Sequence, residues 1–319
     1  MVLRSVLGLL CGVGIFLFSV VQMSEAMKNL CGEKTEHLLQ KFTKNRFSGV
    51  ICGAGLTAVV QSSAAVTVTA VSLADCGKLS LSSCVGIIMG SNIGTTVTGV
   101  LVALNFSFAA PFLVLFGAFC ALISKNEKVK NVAFFLCAFG LLFVGIDTMK
   151  EGAQKLNENG LLSELFVRCD SRLTGVLFGF LSTAAAQSSS ATVGILQSLV
   201  SVGAVKRESA VFIVCGQNIG ATVPTLLSAL RANDKARAAA IFHLLFNIFG
   251  TLGVLLLSFI FPISKIFSKV SNGESFVCAV HVLFNVLCTA VVYPFSVKIS
   301  EFSKTISTLL TKKRKATSV

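Results

Sequence analysis

The most restrictive feature of this sequence is the distribution of its charged residues. Eight windows of 16 to 46 residues contain no Asp, Glu, Lys or Arg: 5–24, 47–74, 79–124, 131–146, 173–205, 209–230, 238–264 and 275–297. Most of them reach the ~20 residues that a helix needs to cross ~30 Å of hydrocarbon. Charged residues make up only 13% of the chain, about half of what a soluble domain carries. The sequence therefore excludes a soluble enzyme and predicts an all-α polytopic membrane protein.

The basic residues lie at the ends of the apolar windows. The chain has 27 Lys and Arg against 14 Asp and Glu, and clusters of basic residues occupy 28–46, 125–130, 231–237 and 312–315. This distribution is typical of the positive-inside rule, so we expect a multi-pass protein of the cytoplasmic membrane with a cytoplasmic C-terminal tail. A nucleic-acid surface would need a basic patch on a soluble fold, and the predicted partner is the lipid bilayer.

The sequence repeats itself with an offset of 126 residues. Gln61-Ser62-Ser63 aligns with Gln187-Ser188-Ser189, and about 24 of the 57 positions in 48–104 are identical to their counterparts without a gap. Duplicated helix bundles are common in secondary transporters, where the two halves are often inverted in the membrane. The equivalent polar segments 28–46 and 150–172 differ in charge bias, which favours opposite faces of the membrane and hence inversion.

Two apolar windows have the wrong length for ordinary spans. The window 173–205 is too long for one crossing and too short for two, and its centre is small and polar. The window 47–74 has Gln61-Ser62-Ser63 near its centre in the same way. A re-entrant hairpin explains both windows, because irregular backbone in a membrane must be buried in protein or line a cavity. One long tilted helix is the alternative.

The predicted architecture follows from these two features. It comprises two inverted repeats, each with a re-entrant hairpin, and about 8 membrane-embedded segments. The predicted parts are a first transmembrane repeat at 1–125, a second transmembrane repeat at 126–260, a C-terminal transmembrane helix at 261–300 and a basic cytoplasmic tail at 301–319.

Uncharged oxygen donors are the chemistry available inside the apolar windows. Gln carbonyls, Ser and Thr hydroxyls and unwound backbone carbonyls suit a small hard cation such as Na⁺. The N–H groups at the start of a broken helix suit an anion. One site of this composition can hold an oxyanion together with Na⁺, so that neither ion is buried uncompensated. The alternative is helix packing through small residues, and the duplication of the motif favours a binding site.

A second, shorter repeat pairs His243-Leu244-Leu245-Phe246-Asn247 with His281-Val282-Leu283-Phe284-Asn285. His and Asn four residues apart share a helix face and can bond across packed helices. We expect structural bracing here rather than a proton relay. No Ser-His-Asp set, paired carboxylates or phosphate loop is visible, so no enzymatic activity and no cofactor are predicted.

The duplicated motifs resemble a known family. Gln61-Ser62-Ser63-Ala64 and Gln187-Ser188-Ser189-Ser190, each followed by a G-x-N-I-G-x-T segment, are similar to the signature of type II sodium-dependent phosphate cotransporters, and the bacterial branch is the closer likeness. The resemblance implies Na⁺-driven symport of inorganic phosphate. It implies a shared site with Na⁺ ligands Gln61, Ser62, Ser63, Gln187 and Ser188, and with phosphate ligands Ser189, Ser190, Asn92, Thr95, Thr96, Asn218 and Thr222.

Two departures from the family pattern are visible. Ala64 stands where the first triplet usually continues with a third Ser, which leaves the number of Na⁺ ions open. Many bacterial relatives continue into a PhoU-like domain, and a separate PhoU-like regulator is therefore a candidate partner. Transport of another small anion, export rather than import, and a transporter-fold signalling or scaffold protein stay open as alternatives.

Overall fold

The computed structural model describes residues 2–317, with side chains described except at 32–33 and 312–317. Within these residues the chain is helical and has no strand. The helices are α1 Val2–Phe42, α2 Arg46–Val60, α3 Ser63–Asp75, α4 Leu81–Ala103, α5 Ala110–Ile123, α6 Glu127–Glu158, α7 Leu161–Val167, α8 Arg172–Ala186, α9 Ser189–Ser201, α10 Arg207–Gly220, α11 Val223–Ser228, α12 Asp234–Ile260, α13 Gly273–Val292 and α14 Ser296–Thr317.

Six helical segments in the described chain are long and apolar enough to cross a membrane. They are Val2–Cys31, Leu81–Ala103, Glu127–Glu158, Arg207–Ser228, Asp234–Ile260 and Gly273–Thr311. Shorter apolar helices, among them α2, α3 and α8, lie between them. The prediction of an all-α polytopic membrane protein is confirmed.

The sequence repeat is also a repeat of structure. Helices α2 and α3 begin and end 126 residues before α8 and α9, and α4 begins 126 residues before α10. The duplicated sequence therefore folds into the same succession of long helix, hairpin and long helix twice.

The two repeats are inverted. Helices α1 and α6 are equivalent in the duplication, and they pack side by side along much of their length. Gly152 of α6 packs on the backbone of Leu9, whereas near the other end of the contact Asn29 Nδ2 donates to Asn131 Oδ1 at 3.2 Å. Residue numbers thus rise along α1 as they fall along α6. Equivalent helices that run antiparallel are the mark of an inverted repeat.

Helix α2 runs parallel to α4. Gly86 of α4 packs on the Arg46 backbone and Gly94 packs on the Ala54 carbonyl, so both helices advance in the same direction. The absence of a side chain at these glycines lets the two backbones meet.

Helix α3 runs in the opposite direction to α4, and therefore also to α2. The Cys84 thiol donates to the Ala70 carbonyl at 3.4 Å, and the Ser91 hydroxyl donates to the Ser63 carbonyl at 3.4 Å. Helices α2 and α3 are thus the two arms of a hairpin. With 15 and 13 residues, the arms are about 22 and 20 Å long, shorter than the hydrocarbon core.

The second hairpin is shown by one contact. Thr183 of α8 and Thr192 of α9 share a hydrogen bond of 2.7 Å, whereas nine residues of continuous helix would separate them by about 13 Å. The chain therefore folds back between them, and the single tilted helix considered for 173–205 is excluded.

The structure departs from the sequence expectations at three places. The polar segments 28–46 and 150–172 are largely helical, because α1 continues to Phe42, α6 continues to Glu158 and α7 follows at Leu161–Val167. Pro224 divides the segment equivalent to α4 into α10 and α11, since proline lacks an N–H and clashes with the preceding turn.

The third departure concerns the C-terminus. The predicted boundary at 300 falls inside α14 rather than at the start of a free tail. Ser307 is fully buried and donates to the Asp234 carbonyl at 3.2 Å, which anchors α14 to the start of α12. The division of the chain at 125/126 and 260/261 stays a prediction.

Candidate functional site

The tips of the two hairpins have the same unusual backbone. Gln61 and Gln187 have φ angles of 57° and 52°, in the left-handed region. Each closes the preceding helix with its own N–H, which donates to the carbonyl of Thr57 or Thr183 at 2.8 Å. A non-glycine residue is disfavoured in this region, and such strain is concentrated at functional sites.

The serine after each glutamine begins the returning helix. Ser62 and Ser188 are the N-caps of α3 and α9, and their hydroxyls accept from the N–H of Ala65 and Ala191 at 3.2 and 3.3 Å. The free N–H groups and the positive dipole end of each returning helix therefore lie at the tip. An anion is favoured at both positions.

Both tips open onto one cavity of about 200 Å³. Its lining combines the two triplets with one face of α1. The lining residues are Val20, Val21, Ser24, Glu25, Lys28, Gln61, Ser62, Ser63, Ala64, Ala186, Gln187, Ser188, Ser189, Ser190 and Ala221. All seven triplet residues named from the sequence are thus brought together by the fold.

Thr98 of α4 connects the two tips. Its hydroxyl donates to Gln61 Oε1 at 2.8 Å and lies 3.2 Å from Ser190 Oγ. Gln61 belongs to the first repeat and Ser190 to the second. A single hydroxyl thus ties the halves together beside the cavity.

The other five predicted residues do not line this cavity in the described structure. Asn92, Thr95, Thr96, Asn218 and Thr222 are all buried. Each donates to the carbonyl of a residue three or four positions earlier in the chain, at 2.7 to 2.9 Å. Their assignment as phosphate ligands stays a prediction.

Sequence reasoning missed the contribution of α1. Ser24 is 8% exposed, lines the cavity, and its hydroxyl has no partner among the described residues. Glu25 and Lys28 are the charged residues of the lining. The alignment of Glu25 with Glu151 in the repeat was the available signal, but nothing in it placed α1 beside the triplets.

His243 connects α12 to α4 and α11. Its Nε2 lies 3.2 Å from Asn92 Nδ2, and its Nδ1 lies 3.2 Å from the Thr225 hydroxyl. Thr225 in turn shares a 2.8 Å hydrogen bond with Thr67 of α3. These contacts are of the bracing kind that the sequence predicts.

Two larger cavities lie away from both triplets. One of about 520 Å³ lies at the start of α8 and the end of α12, and one of about 340 Å³ is lined almost entirely by apolar side chains of α12 and α13. The first cavity is lined partly by charged and polar residues, among them Asp170, Arg172 and Glu208, and neither cavity includes a residue of the triplets.

The family model for the Na⁺/Pi-cotransporter matches residues 15–151 and 141–267 of this sequence. The chain belongs to the Na⁺/Pi-cotransporter family. Two overlapping matches in one chain agree with the duplication seen in the structure. The chain is therefore a multi-pass membrane protein of a transporter family.

Several known proteins are similar to this family member. "Putative inorganic phosphate export protein YjbB" of Salmonella typhimurium is 23% identical over 308 residues, which cover 95% of this chain and 56% of that protein. The chain thus spans a little over half the length of this relative. An uncharacterized protein of Bacillus subtilis, YqeW, is 25% identical over 241 residues, covering 75% of this chain and 78% of its own.

One further relative has a higher identity over a much shorter stretch of the chain. Sodium-dependent phosphate transport protein 2A of Oryctolagus cuniculus is 48% identical over 60 residues, or 19% of this chain and 9% of that protein. No solved structure matches the chain significantly.

Proposed function

We propose that this protein is a sodium-coupled symporter that moves inorganic phosphate across the cytoplasmic membrane by alternating access. One observation carries the proposal: two Gln-Ser-Ser tips from inverted repeats meet at a single cavity. Family membership and the names of the relatives, which refer to phosphate transport or export, support the same substrate.

The tips offer chemistry for both ions. The start of α9 at Ser189 and Ser190 presents helix N–H groups and hydroxyls, which suit the oxygens of phosphate. The glutamine carbonyls and the hydroxyls of Ser62, Ser63 and Ser188 are hard, neutral oxygen ligands that suit Na⁺. The triplets carry no charge, and the two charged residues of the lining, Glu25 and Lys28, have opposite signs, so phosphate and Na⁺ would neutralise each other when bound together.

The test is radiolabelled phosphate uptake by purified protein in liposomes, with and without an inward Na⁺ gradient. We expect uptake that depends on Na⁺ and falls by about 10- to 100-fold in Gln187→Ala and Ser189→Ala, because each removes a ligand of a buried ion. Gln154→Ala is the matched control, since Gln154 is exposed on α6 away from the cavity. We expect that variant to transport like the wild type.

The remaining results would separate the alternatives. Phosphate flux that ignores Na⁺ would overturn sodium coupling. Transport of a different anion, with no competition by phosphate, would overturn the substrate. Absence of any flux from folded protein would favour a signalling or scaffold role. Loading phosphate inside or outside the liposomes distinguishes import from export.

A further inference from the structure

Helices α12 and α13 carry matching stripes of polar residues. Each stripe has His, Asn and Thr spaced by four residues, so that the three side chains share one helix face. The stripes are His243, Asn247 and Thr251 on α12, and His281, Asn285 and Thr289 on α13. All six residues are buried, and the two central asparagines are completely inaccessible.

The two stripes occupy equivalent places in the bundle. Thr251 donates to the Cys215 carbonyl of α10 at 3.3 Å, and Thr289 donates to the Met89 carbonyl of α4 at 3.5 Å. Cys215 and Met89 are themselves equivalent in the 126-residue repeat. The approximate two-fold symmetry that exchanges α4 with α10 therefore also exchanges α12 with α13.

The asparagines lie close together along the bundle. The Cys288 thiol donates to the Phe246 carbonyl at 3.4 Å, and Gly250 packs against Phe284. Helices α12 and α13 are thus antiparallel, and Asn247 and Asn285 differ in level by only about 3 Å. Both are at the middle of their stripes, where the two-fold axis passes.

Each asparagine donates a hydrogen bond through its side-chain nitrogen, whereas its side-chain oxygen accepts none from the described residues. Asn247 Nδ2 donates to the His243 carbonyl at 3.1 Å, and Asn285 Nδ2 donates to the His281 carbonyl at 2.9 Å. Neither Oδ1 has a partner among the described residues.

Unpartnered oxygens at symmetric, fully buried positions require an explanation, because buried acceptors in native proteins are nearly always satisfied. Two amide oxygens at matching positions are hard, neutral ligands of the kind that Na⁺ accepts. We propose that Asn247 and Asn285 contribute oxygens to a buried Na⁺ ion beside the two-fold axis, separate from the cavity between the hairpin tips.

A role in coupling follows if the proposed sodium-driven transport is correct, and the inference rests on that function. His243 begins the α12 stripe and bonds both Asn92 and Thr225. Thr225 is linked through Thr67 to the Ser63 carbonyl at the first hairpin tip, with hydrogen bonds of 2.8 and 2.9 Å. An ion held at the stripes would thus be connected through His243, Thr225 and Thr67 to the tip of the first hairpin.

The direct test is thermal unfolding of purified protein in detergent, without phosphate, as NaCl replaces choline chloride at constant ionic strength. We expect Na⁺ to raise the Tm of the wild type, because a ligand that binds only the native state stabilises it. Asn247→Leu and Asn285→Leu should raise the half-effective Na⁺ concentration at least tenfold. A half-effective Na⁺ concentration that is unchanged from the wild type in both variants would overturn the site. Bound water would then explain the unpartnered oxygens.

Thr251→Val and Thr289→Val are the matched controls. They remove polar groups from the same stripes, but these hydroxyls already have backbone carbonyl partners. We expect a lower Tm with an unchanged half-effective Na⁺ concentration. An equal loss of the Na⁺ response in these variants would attribute the effect to packing and overturn the inference.

Asn247→Asp and Asn285→Asp test the site without removing an oxygen. A carboxylate beside the cation should lower the half-effective Na⁺ concentration about tenfold. The leucine and aspartate variants together provide four proteins, and any one of them that folds can decide the question. An aspartate variant that responds to Na⁺ like the wild type would contradict the site.

Uptake in liposomes separates this inference from the proposed function. Na⁺-dependent phosphate uptake with an unchanged Na⁺ requirement in the asparagine variants would overturn the inference alone. Wild-type uptake that is indifferent to Na⁺ would overturn the proposed function, whereas the thermal measurement would still decide the cation site.

Discussion

The two hairpin tips share one backbone and differ in what holds their glutamines. Gln61 is only 8% exposed and accepts a hydrogen bond from Thr98 at 2.8 Å. Gln187 is exposed to the cavity. The residue equivalent to Thr98 in the second repeat is Pro224, which has no hydroxyl and ends α10 early. The first glutamine is therefore fixed by the neighbouring helix, and the second is available to a ligand.

Equivalent positions on α1 and α6 also differ in their side-chain contacts. Ser24 lines the cavity, whereas its counterpart Lys150 forms an ion pair with Glu274 of α13. Both partners of this pair are largely buried. The duplicated halves thus share their backbone path but differ in their side-chain contacts. Where α1 lines an open cavity, the equivalent position of α6 forms an ion pair.

The largest expected effect tests what the halves have in common. Gly90 packs on the Val50 carbonyl and Gly216 packs on the equivalent Val176 carbonyl. Because both partners are backbone, Gly90→Ala and Gly216→Ala should each cost about 3 kcal/mol of unfolding free energy, the upper end for overpacking. Thermal unfolding of the purified variants measures this.

Gly55→Ala is the control for these substitutions, since nothing lies near the methyl group it adds. It should keep or slightly raise stability, because alanine favours a helix. A large loss from only one of Gly90→Ala and Gly216→Ala would show that the two helix contacts are not equivalent.

A smaller effect tests what the halves do not share. Thr98→Val leaves Gln61 Oε1 buried without its donor, which should cost about 1–3 kcal/mol and weaken the apparent phosphate affinity about tenfold. Saturation curves for phosphate uptake measure it. Thr148→Val is the control, because that hydroxyl bonds only the Val144 carbonyl of its own helix, at 2.8 Å.

Pro224→Thr installs the missing hydroxyl beside the second tip. We expect the amides of 187–190 to exchange hydrogen several-fold more slowly, because Gln187 gains a donor and α10 can continue. Unchanged exchange in this variant, or unchanged affinity in Thr98→Val, would contradict the role assigned to Thr98.

The smallest effect concerns the entrances to the hairpins. Asp170 precedes the second hairpin, and hydrogen bonds from Lys206 and Ser209 lower the pKa of its carboxyl below the ordinary value of 3.8. The stability it contributes is complete above that value and is lost as the pH falls through the lowered pKa. Since Asp170 and Lys206 are partly exposed, about 0.2–1 kcal/mol is expected.

The first repeat provides the comparison for this pH effect. There Ser83, the counterpart of Ser209, donates to the Thr43 carbonyl at 2.8 Å, and a carbonyl does not titrate. Unfolding between pH 3 and 6 should therefore become less pH-dependent in Asp170→Asn and keep its pH dependence in Ser83→Ala. The opposite pattern would place the titrating group elsewhere.

Much of the fold could be predicted from the sequence because its signals are local. Charge-free windows reveal the apolar helices, and the family and the fold class predicted from the repeated motifs are confirmed. The helix bounds required the structure. Polar residues at 28–42 do not end α1, since a helix surface tolerates them, whereas Pro224 ends α10 because it cannot donate a hydrogen bond.

The site was predictable only in part. The triplets can be recognised in the sequence because they are polar residues that recur within apolar windows, and the fold brings both to one cavity. Asn92 and Asn218 have the same appearance in the sequence, yet their amides are bonded within their own helices. Thr98 looks like any threonine of an apolar helix, and Ser24 looks like any residue of a first span.

The sequence by itself determined that this chain is a duplicated helical membrane protein with a polar interruption in one apolar window of each half, whereas the structure decided between a hairpin and one tilted helix. The apolar composition and the internal repeat can be read directly from the chain. Within a membrane such apolar segments form helices, because a helix satisfies its own backbone hydrogen bonds. The tertiary structure alone decided that Thr98 joins the two tips, that α1 completes the cavity, and that the two central asparagines lie at nearly the same level beside the two-fold axis. These relations join residues that are far apart in the sequence, and they exist only once the helices have packed.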